Sequence, residues 1–293
     1  MKLLLPSFEI WEQAKGLLGI YQQIERCGRV CYKSQDKCTE TSAEPFVQRM
    51  VANQHYAMLE HGTVYLACKH GELPFYFSNK FTHVNTIDGT DYITTNLRVL
   101  AENNTLADLS FLSPFQEGKH ERRVTVCFTT QISITREYNR HRANSMAEQS
   151  TRYCNYTKDK FGAEISINVP SWVEEDENYQ ELSKEPSHSL ADYCKEVSEG
   201  NDKEWNKIDA WHFANLAAEH AYMLLIQNGC KPQEARAILP LDTNTQLIHT
   251  AFVSDWLHFF DLRAIGTTGA PHPDAKALAL PLMEEFKKKG FIE

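Results

Sequence analysis

Residues 140–153 read Arg-His-Arg-Ala-Asn-Ser-Met-Ala-Glu-Gln-Ser-Thr-Arg-Tyr. This segment combines three arginines, a histidine and a glutamate, and it has no apolar stripe that would bury one face of a helix. Guanidinium groups bind phosphate and carboxylate through paired hydrogen bonds. Glu148 can balance their charge or accept a hydrogen bond from the N–H of a heterocycle. An arginine-rich run is more simply interpreted as a solvated, salt-bridged surface helix. The spacing of the residues therefore has to decide between a surface helix and a binding site for an anionic ligand.

The elements around this segment are predicted from periodicity. Residues 123–130 alternate between apolar and polar side chains, as in a half-buried strand, and residues 131–139 form a short helix that leads into the segment. Two later stretches also carry arginines. Lys231–Leu241 begins and ends with a proline and predicts a two-turn helix containing Arg236. A strand at 245–253 is then followed by a helix at 256–263 that ends in Arg263 and is capped by Ser254 or Asp255.

Composition limits the possible functions. The chain has 293 residues, 42% of them hydrophobic, and a formal net charge of −9. An acidic balance argues against a nucleic-acid groove, which needs a basic excess, and an RNA-binding role for the arginine-rich segment is therefore disfavoured. No signal peptide and no stretch of ~20 apolar residues is found. The sequence predicts a cytoplasmic protein with no nucleic-acid or membrane partner.

Eight cysteines are scattered without a C-x-x-C pair, which favours free thiols over disulfides or a metal site. No metal is expected. Cys154 follows the arginine-rich segment and is a weak candidate for a nucleophile, because a thiolate needs a lowered pKa. Ser150 as a nucleophile would need a base partner, and phosphate binding is the simpler role for it.

The spacing of the 140–153 segment is specific. Arg140-His141-Arg142 followed after seven residues by Ser150 resembles the signature of the flavin-dependent thymidylate synthases, and Glu148 and Arg152-Tyr153 also stand where that family has Glu and Arg-Tyr. Three further stretches resemble family motifs: His55 with Glu60-His61, Glu234 to Leu241 around Arg236, and Phe260 to Arg263.

The resemblance implies an enzyme that makes dTMP from dUMP with FAD as cofactor and with 5,10-methylenetetrahydrofolate and NADPH as co-substrates. It implies an α+β fold, in which a mixed or antiparallel sheet packs with helices, and a homotetramer with sites at subunit interfaces. The absence of a G-x-G-x-x-G after any strand fits a flavin held outside a Rossmann domain. A non-catalytic nucleotide-binding module, with the arginines gripping phosphates alone, is the alternative.

Site residues follow from the same resemblance, position by position. FAD contacts are expected from His55, Arg140, His141, Arg142, Glu148 and His258. Contacts to dUMP are expected from Glu137, Arg140, Glu148, Gln149, Ser150, Thr151, Arg152, Arg236 and Arg263, with Arg263 as the catalytic residue. Ser150, Arg152 and the 149–151 backbone would hold the phosphate, whereas Arg236 and Arg263 would hold the base.

Three positions depart from the family pattern. Ala57 and Ser254 stand where relatives often have a hydroxyl residue and an arginine, respectively, so two contacts to FAD are missing or supplied elsewhere. Glu137 stands where relatives often have Gln.

The predicted organisation is one catalytic domain over residues 1–293, with an insertion at about 70–122 that contains a hairpin turning at Asp88-Gly89. Residues 158–200 are predicted to be an acidic linker with short helices and no site. Thr41 and Glu44 suggest a capping box at a helix start, and residues 28–32 suggest a strand or turn.

Overall fold

The computed structural model describes residues 1–158, 161–182 and 188–293. Its centre is a four-stranded antiparallel sheet in the order β2-β6-β9-β7. These strands are β2 (Ser7–Trp11), β6 (Arg123–Gln131), β7 (Ser145–Glu148) and β9 (Asn244–Phe252). The central pair, β6 and β9, is buried on both faces, as expected of strands covered on two sides, although several of the buried side chains are polar.

Two smaller sheets flank it. An antiparallel sheet in the order β3-β5-β4 consists of β3 (Thr63–Lys69), β4 (His83–Ile87) and β5 (Thr90–Asn96). A two-stranded parallel sheet joins β1 (Lys2–Leu4) to β8 (Ser166–Asn168). The α+β class predicted from the sequence, with mixed and antiparallel sheets, is confirmed.

Helices cover both faces of the central sheet. In chain order they are α1 (Gly16–Cys31), α2 (Ala43–Ala52), α3 (Phe75–Ser78), α4 (Leu97–Glu102), α5 (Ile132–Tyr138), α6 (Ser171–Glu174), α7 (Glu177–Leu182), α8 (Leu190–Glu199), α9 (Lys207–Gln227), α10 (Pro232–Ala235), α11 (Val253–Phe260) and α12 (Pro273–Lys288). Short 3-10 segments lie at Gln35–Lys37, Tyr56–His61, Leu106–Phe111, Asn201–Glu204 and Arg236–Ile238. None of the helices in the described ranges is long and apolar enough to cross a membrane.

The main core lies between one face of the central sheet and the helices α5, α11 and α12. Phe128 on β6 contacts Tyr138, Trp256 and Phe259, so aromatic rings fill this layer. Burying rings of this size contributes much of the free energy of folding. The layer fixes α5 and α11 relative to each other, and these two helices carry the candidate site.

The insertion predicted at 70–122 contributes β4, β5 and α4. Its two strands pair with β3 in the three-stranded sheet. Its hairpin turns at Asp88 and Gly89, which have φ angles of +50° and +76°, as the Asp-Gly pair predicted. The polar stretch from 101 to 119, which reads as a loop, begins with the end of α4 and contains the 3-10 turn at Leu106–Phe111.

Three local predictions were wrong. Residues 28–31 are the last turn of α1 rather than a strand, because the missing side chain of Gly28 leaves room for the ring of Phe46, whose Cζ lies 2.6 Å from where a Cβ would be. No capping box forms at Thr41, since α2 begins at Ala43. Helix α11 begins at Val253 and has no side-chain cap from Ser254 or Asp255.

The acidic stretch at 158–200 is more regular than predicted. It contains β8 as well as α6, α7 and α8. Residues 159–160 and 183–187 of this stretch lie outside the described residues.

Candidate active site

The site is centred on Arg263, which lies on a single π-helical turn (Asp261–Ile265) that continues α11. Its guanidinium donates from Nη1 to Oε2 of Glu137 at 2.5 Å, from Nη2 to the carbonyl oxygen of Glu137 at 2.7 Å, and from Nε to Nε2 of His141 at 3.1 Å. A π turn re-aims the side chain it carries, and such turns are frequent at functional sites. Two of the five guanidinium N–H groups form no hydrogen bond with the described residues and can serve a ligand.

His141 is buried and neutral. Because Arg263 is always protonated, Nε2 of His141 must accept its N–H, and the proton of the imidazole therefore lies on Nδ1. Burial, together with the charge of Arg263 and the neighbouring His258, lowers the pKa of His141 to about 4. The ring packs 4.9 Å from that of Phe259 and 5.8 Å from that of His258. His141 therefore orients Arg263 and carries no charge near neutral pH.

These residues line one open, mostly polar pocket of about 470 Å³. Five of the predicted site residues meet there: Glu137, Arg140, His141, His258 and Arg263. They come from three elements that are distant in sequence, namely the end of α5, the loop that follows it, and α11 with its π turn. The volume falls in the range of small-molecule pockets, and the paired donors suit a planar, oxygen-rich ligand.

A second cluster contains residues predicted to hold the phosphate, Ser150, Thr151 and Arg152, together with Arg236, which was predicted to hold the base. Arg236, at the start of the 3-10 turn after α10, donates from Nη1 to Oγ1 of Thr151 at 3.3 Å, and Arg152 donates from Nε to Oε1 of Gln233 at 3.2 Å. The hydroxyl of Ser150 accepts the backbone N–H of Arg152 at 3.2 Å. Neither guanidinium forms an ion pair with a carboxylate of the described chain. Two exposed arginines beside hydroxyl groups are well suited to an anionic ligand.

Glu148 lies between the two clusters. Its carboxylate accepts hydrogen bonds from Oγ1 of Thr135 at 2.8 Å and from Nδ2 of Asn139 at 3.1 Å, and it thereby ties β7 to α5. Gln149, the first residue after β7, is buried, and its side chain lines a separate cavity with Tyr156. Any contact of Gln149 with a nucleotide in the second cluster would therefore come from its backbone.

Three of the predicted cofactor residues do not line the pocket of Arg263: Glu148, whose contacts are given above, His55 and Arg142. His55 is exposed at the start of the 3-10 turn Tyr56–His61, and Arg142 is exposed beyond the buried His141. The two positions that depart from the family pattern, Ala57 and Ser254, are also exposed. These side chains can reach a ligand only if it extends out of the pocket.

Sequence reasoning missed the loop that follows Arg263. Residues 268–272 line the pocket, and His272 is among them. The signal that pointed to this loop was available: two glycines, 266 and 269, enclose a turn, and a His-Pro pair opens α12.

FAD can be tested against this donor set. Arg140 and His258 present exposed donors at the pocket, Arg142 and His55 lie outside it, and Nδ1–H of His141 remains after Nε2 is used by Arg263. Guanidinium and imidazole groups match the phosphates and ring carbonyls of a flavin nucleotide. The residues fit the cofactor, although one chain encloses only part of so large a ligand.

The fold and the two arginine clusters define an α+β protein built to bind an anionic, planar ligand. The chain belongs to the thymidylate synthase complementing protein family, whose model matches residues 112–289. The match covers both clusters, from Glu137 to Arg263, whereas His55 lies outside it.

A curated relative, the flavin-dependent thymidylate synthase of Synechocystis sp., is 29% identical over 167 residues. The aligned part is 56% of this chain and 66% of the relative, so the chain spans just under two thirds of that protein's length.

Two crystal structures of the UMP/dUMP methylase PolB from Streptomyces cacaoi are also similar. The one bound with 5-Br dUMP is 15% identical, with a TM-score of 0.42, and the alignment covers 98% of this chain and 93% of that one. The one bound with 5-Br UMP is 16% identical, with a TM-score of 0.43 and coverages of 98% and 92%. This degree of likeness adds nothing to the family assignment.

Proposed function

We propose that the protein is an FAD-dependent thymidylate synthase, which methylates dUMP to dTMP with 5,10-methylenetetrahydrofolate and NADPH. The observation that carries the proposal is the placement of Arg263, held by Glu137 and His141 in one pocket with Arg140 and His258. Family membership and the curated relative support the same reaction.

The roles of the side chains follow from their contacts. A uracil carbon is a poor nucleophile, so the site must stabilise negative charge on the N–C=O edge of the ring as C5 attacks the methylene donor. Arg263 is pre-oriented by three hydrogen bonds and has two N–H groups left for that edge. Arg152, Ser150 and Thr151 would hold the phosphate, and Arg236, which lies beside them, would hold the base together with Arg263.

His55, Arg140, His141, Arg142 and His258 would hold FAD. Glu148, which also ties β7 to α5, would contact both FAD and dUMP. When bound and reduced by NADPH, FAD would supply the hydride that converts the transferred methylene group to methyl. Overall, the methylene carbon and a hydride reach C5 of dUMP, the C5 proton leaves, and tetrahydrofolate and NADP⁺ are released.

The active protein is proposed to be a cytoplasmic homotetramer with sites at subunit interfaces. In support, the phosphate cluster of Arg152 and Arg236 does not line the pocket of Arg263 within one chain. Each pocket would then be completed by residues of a neighbouring subunit.

Purified protein tests the proposal directly. We expect flavin absorbance after loading with FAD, NADPH oxidation that depends on dUMP and methylenetetrahydrofolate, and a matching yield of dTMP. A protein that binds dUMP yet takes up no FAD and forms no dTMP would instead be the non-catalytic nucleotide-binding module.

A further inference from the structure

The wall of the Arg263 pocket that the proposed function leaves without a role is the loop Gly266–His272. Five of its residues, 268 to 272, line the pocket beside Glu137 and Arg263. His272 is the one ionisable side chain among these five, and 46% of its side chain is exposed. It therefore presents a polar group to whatever enters.

The loop is fixed at its first end. The carbonyl oxygen of Asp261 accepts the backbone N–H groups of Gly266 at 2.8 Å and Thr267 at 3.1 Å. Gly266 has a φ angle of +82°, and a Cβ there would lie 2.7 Å from Cδ of Pro271 and 2.8 Å from the carbonyl oxygen of Gly269. Only glycine allows so tight a turn, which folds the end of the loop back against its start.

The second end is fixed by helix α12. His272 is the N-cap of this helix, and its Nδ1 accepts the backbone N–H of Asp274 at 3.2 Å. The buried carboxylate of Asp274 is itself held by the backbone N–H of Ser171 at 2.8 Å and by Nε2 of Gln131 at 3.2 Å. A ring held in this way is pre-organised, so a ligand that uses it loses little side-chain entropy on binding.

The cap also sets the tautomer of the ring. A nitrogen that accepts a hydrogen bond carries no proton, and the Asp274 carboxylate is 3.9 Å from Nδ1, too far to accept one. The neutral imidazole of His272 therefore has its proton on Nε2. The ring thus offers a single N–H donor on the side away from the helix backbone.

We infer that His272 is a substrate-binding residue that selects the uracil ring, an inference that rests on the proposed function. The edge of uracil presents an acceptor, a donor and an acceptor: one carbonyl oxygen, the N3–H and the second carbonyl oxygen. The pocket offers the complement. Arg263 and Nε2–H of His272 donate to the two oxygens, and the carboxylate of Glu137, which has lone pairs beyond the one used by Arg263, accepts N3–H.

The edge of cytosine does not match the hydrogen-bond donors and acceptors of the same groups. Its amino group replaces one acceptor by a donor, and its unprotonated N3 would face the Glu137 carboxylate with no hydrogen between them. A site built to hydrogen-bond one edge rejects the other because buried polar groups are left unpaired. The structure thus predicts a preference for dUMP over dCMP that depends on His272.

Two substitutions separate binding from helix capping. In His272→Asn, the short side chain places an oxygen near the position of Nδ1 and keeps the cap, but it lacks the donor at the position of Nε2. In His272→Gln, the amide N–H reaches the Nε2 position, but the cap is lost. His220→Asn, at an exposed position on α9, is the control.

The measurements are the Kd values of dUMP and dCMP by calorimetry on the full FAD-loaded protein, together with the Tm. We expect His272→Asn to keep the Tm and to raise the Kd for dUMP about 5- to 10-fold, with the preference over dCMP narrowed by a similar factor, as for one lost neutral hydrogen bond. His272→Gln should lower the Tm and keep the Kd for dUMP within about threefold of the wild-type value.

The opposite pattern, in which the Asn variant binds dUMP as the wild type does and the Gln variant does not, would overturn the role of His272 and leave the proposed function intact. If the wild-type protein binds no dUMP and forms no dTMP, the proposed function fails and this inference fails with it.

Discussion

The guanidinium of Arg263 lies 2.5 Å from the carboxylate of Glu137 and 2.7 Å from the carbonyl oxygen of the same residue. One residue of α5 thus grips the arginine twice, from its side chain and from its backbone. The backbone contact survives any substitution at position 137, whereas the charge contact does not. The backbone of Glu137 therefore orients the guanidinium of Arg263, and the side chain of Glu137 supplies its ionic partner.

Substituting Arg263 should abolish the reaction without unfolding the protein. In Arg263→Ala, dTMP formation should fall by at least about 100-fold in kcat/KM, because the group that stabilises charge on the ring is lost. The variant should keep the oligomeric state of the wild-type protein by size-exclusion chromatography, since the core under α11 is formed by Trp256, Phe259 and Phe260. Near-normal turnover of a folded variant would remove Arg263 from the site.

The substitution Glu137→Gln removes the negative charge next to Arg263 and keeps the shape of the side chain. The side chain of Arg263 is 14% exposed and that of Glu137 is 36% exposed. Because Gln can still accept a hydrogen bond and the backbone contact remains, the substitution should cost about 1 kcal/mol of stability. The effect on the reaction should be larger, roughly tenfold in kcat/KM, because Arg263 loses its ionic partner and gains freedom. The surface pair of Arg122 with Glu117 gives the control, and Glu117→Gln should leave both the Tm and turnover unchanged. Equal effects of the two substitutions would show that Glu137 is only a surface partner.

The sequence predicted local elements of the fold and individual site residues, but it did not predict the contacts between those residues. The periodicity of 123–130 and the Asp-Gly turn at 88–89 placed β6 and the hairpin, because strand alternation and primed turns are local properties. The spaced motif led to Arg140 and His141, the Phe260–Arg263 motif led to Arg263, and the resemblance to the family led to Glu137. The clamp between Glu137 and Arg263 joins residues 126 positions apart, and no local pattern encodes such a contact.

The local failures have physical causes as well. The glycine at position 28 suggested a strand or turn, but tertiary packing of Phe46 decided for a helix. Strand β2, Ser7–Trp11, was missed although its first four residues alternate between polar and apolar side chains, because so short a run is decided by its pairing with β6, which lies far away in the sequence. His272 was missed because its role depends on which nitrogen caps α12, which is a property of coordinates rather than of spacing.

The free energy of unfolding should decrease as the pH falls below about 6.5. Burial lowers the pKa of His61 and His249 to about 3 and that of His141 to about 4, with contributions from the charges of Arg123 and Arg263. Unfolded histidines titrate near 6.5, so between these values the unfolded state binds more protons and is favoured as the pH falls. The stabilisation is complete above pH 6.5 and is lost progressively towards pH 3.

Urea unfolding at pH 7.5, 6.0 and 5.0 measures this effect. The slope of the unfolding free energy against pH should correspond to an uptake of up to about three protons per chain around pH 5. Carboxylates that titrate below pH 5 contribute little in this window. A flat profile from pH 7.5 to 5.0 would contradict the buried, neutral state of the three rings.

Cys154→Ser should retain activity. Cys154 is completely buried behind the arginine-rich segment, so its thiol faces the interior and not a ligand. The hydroxyl group should cost about 1–2 kcal/mol of stability, because a polar atom replaces sulfur in the core. Turnover at 25 °C should stay within about threefold of the wild-type value. Loss of dTMP formation in a folded, FAD-loaded variant would revive a thiol mechanism.

The phosphate cluster can be tested by comparing a nucleotide with its nucleoside. If Arg152 binds the phosphate, Arg152→Ala should weaken dUMP binding by about 10- to 100-fold, since a charge-assisted contact is lost, and leave deoxyuridine binding unchanged. Arg136, an exposed arginine of α5 that lines neither cluster, provides the control. Thr151→Ala removes the hydroxyl that accepts from Arg236 at 3.3 Å and should weaken dUMP binding less than Arg152→Ala does. Arg152→Ala leaves the proposed contacts of Arg263 with the ring unchanged. A loss of deoxyuridine binding in this variant would therefore show that Arg152 stabilises the turn at residues 150–153 and does not bind the phosphate.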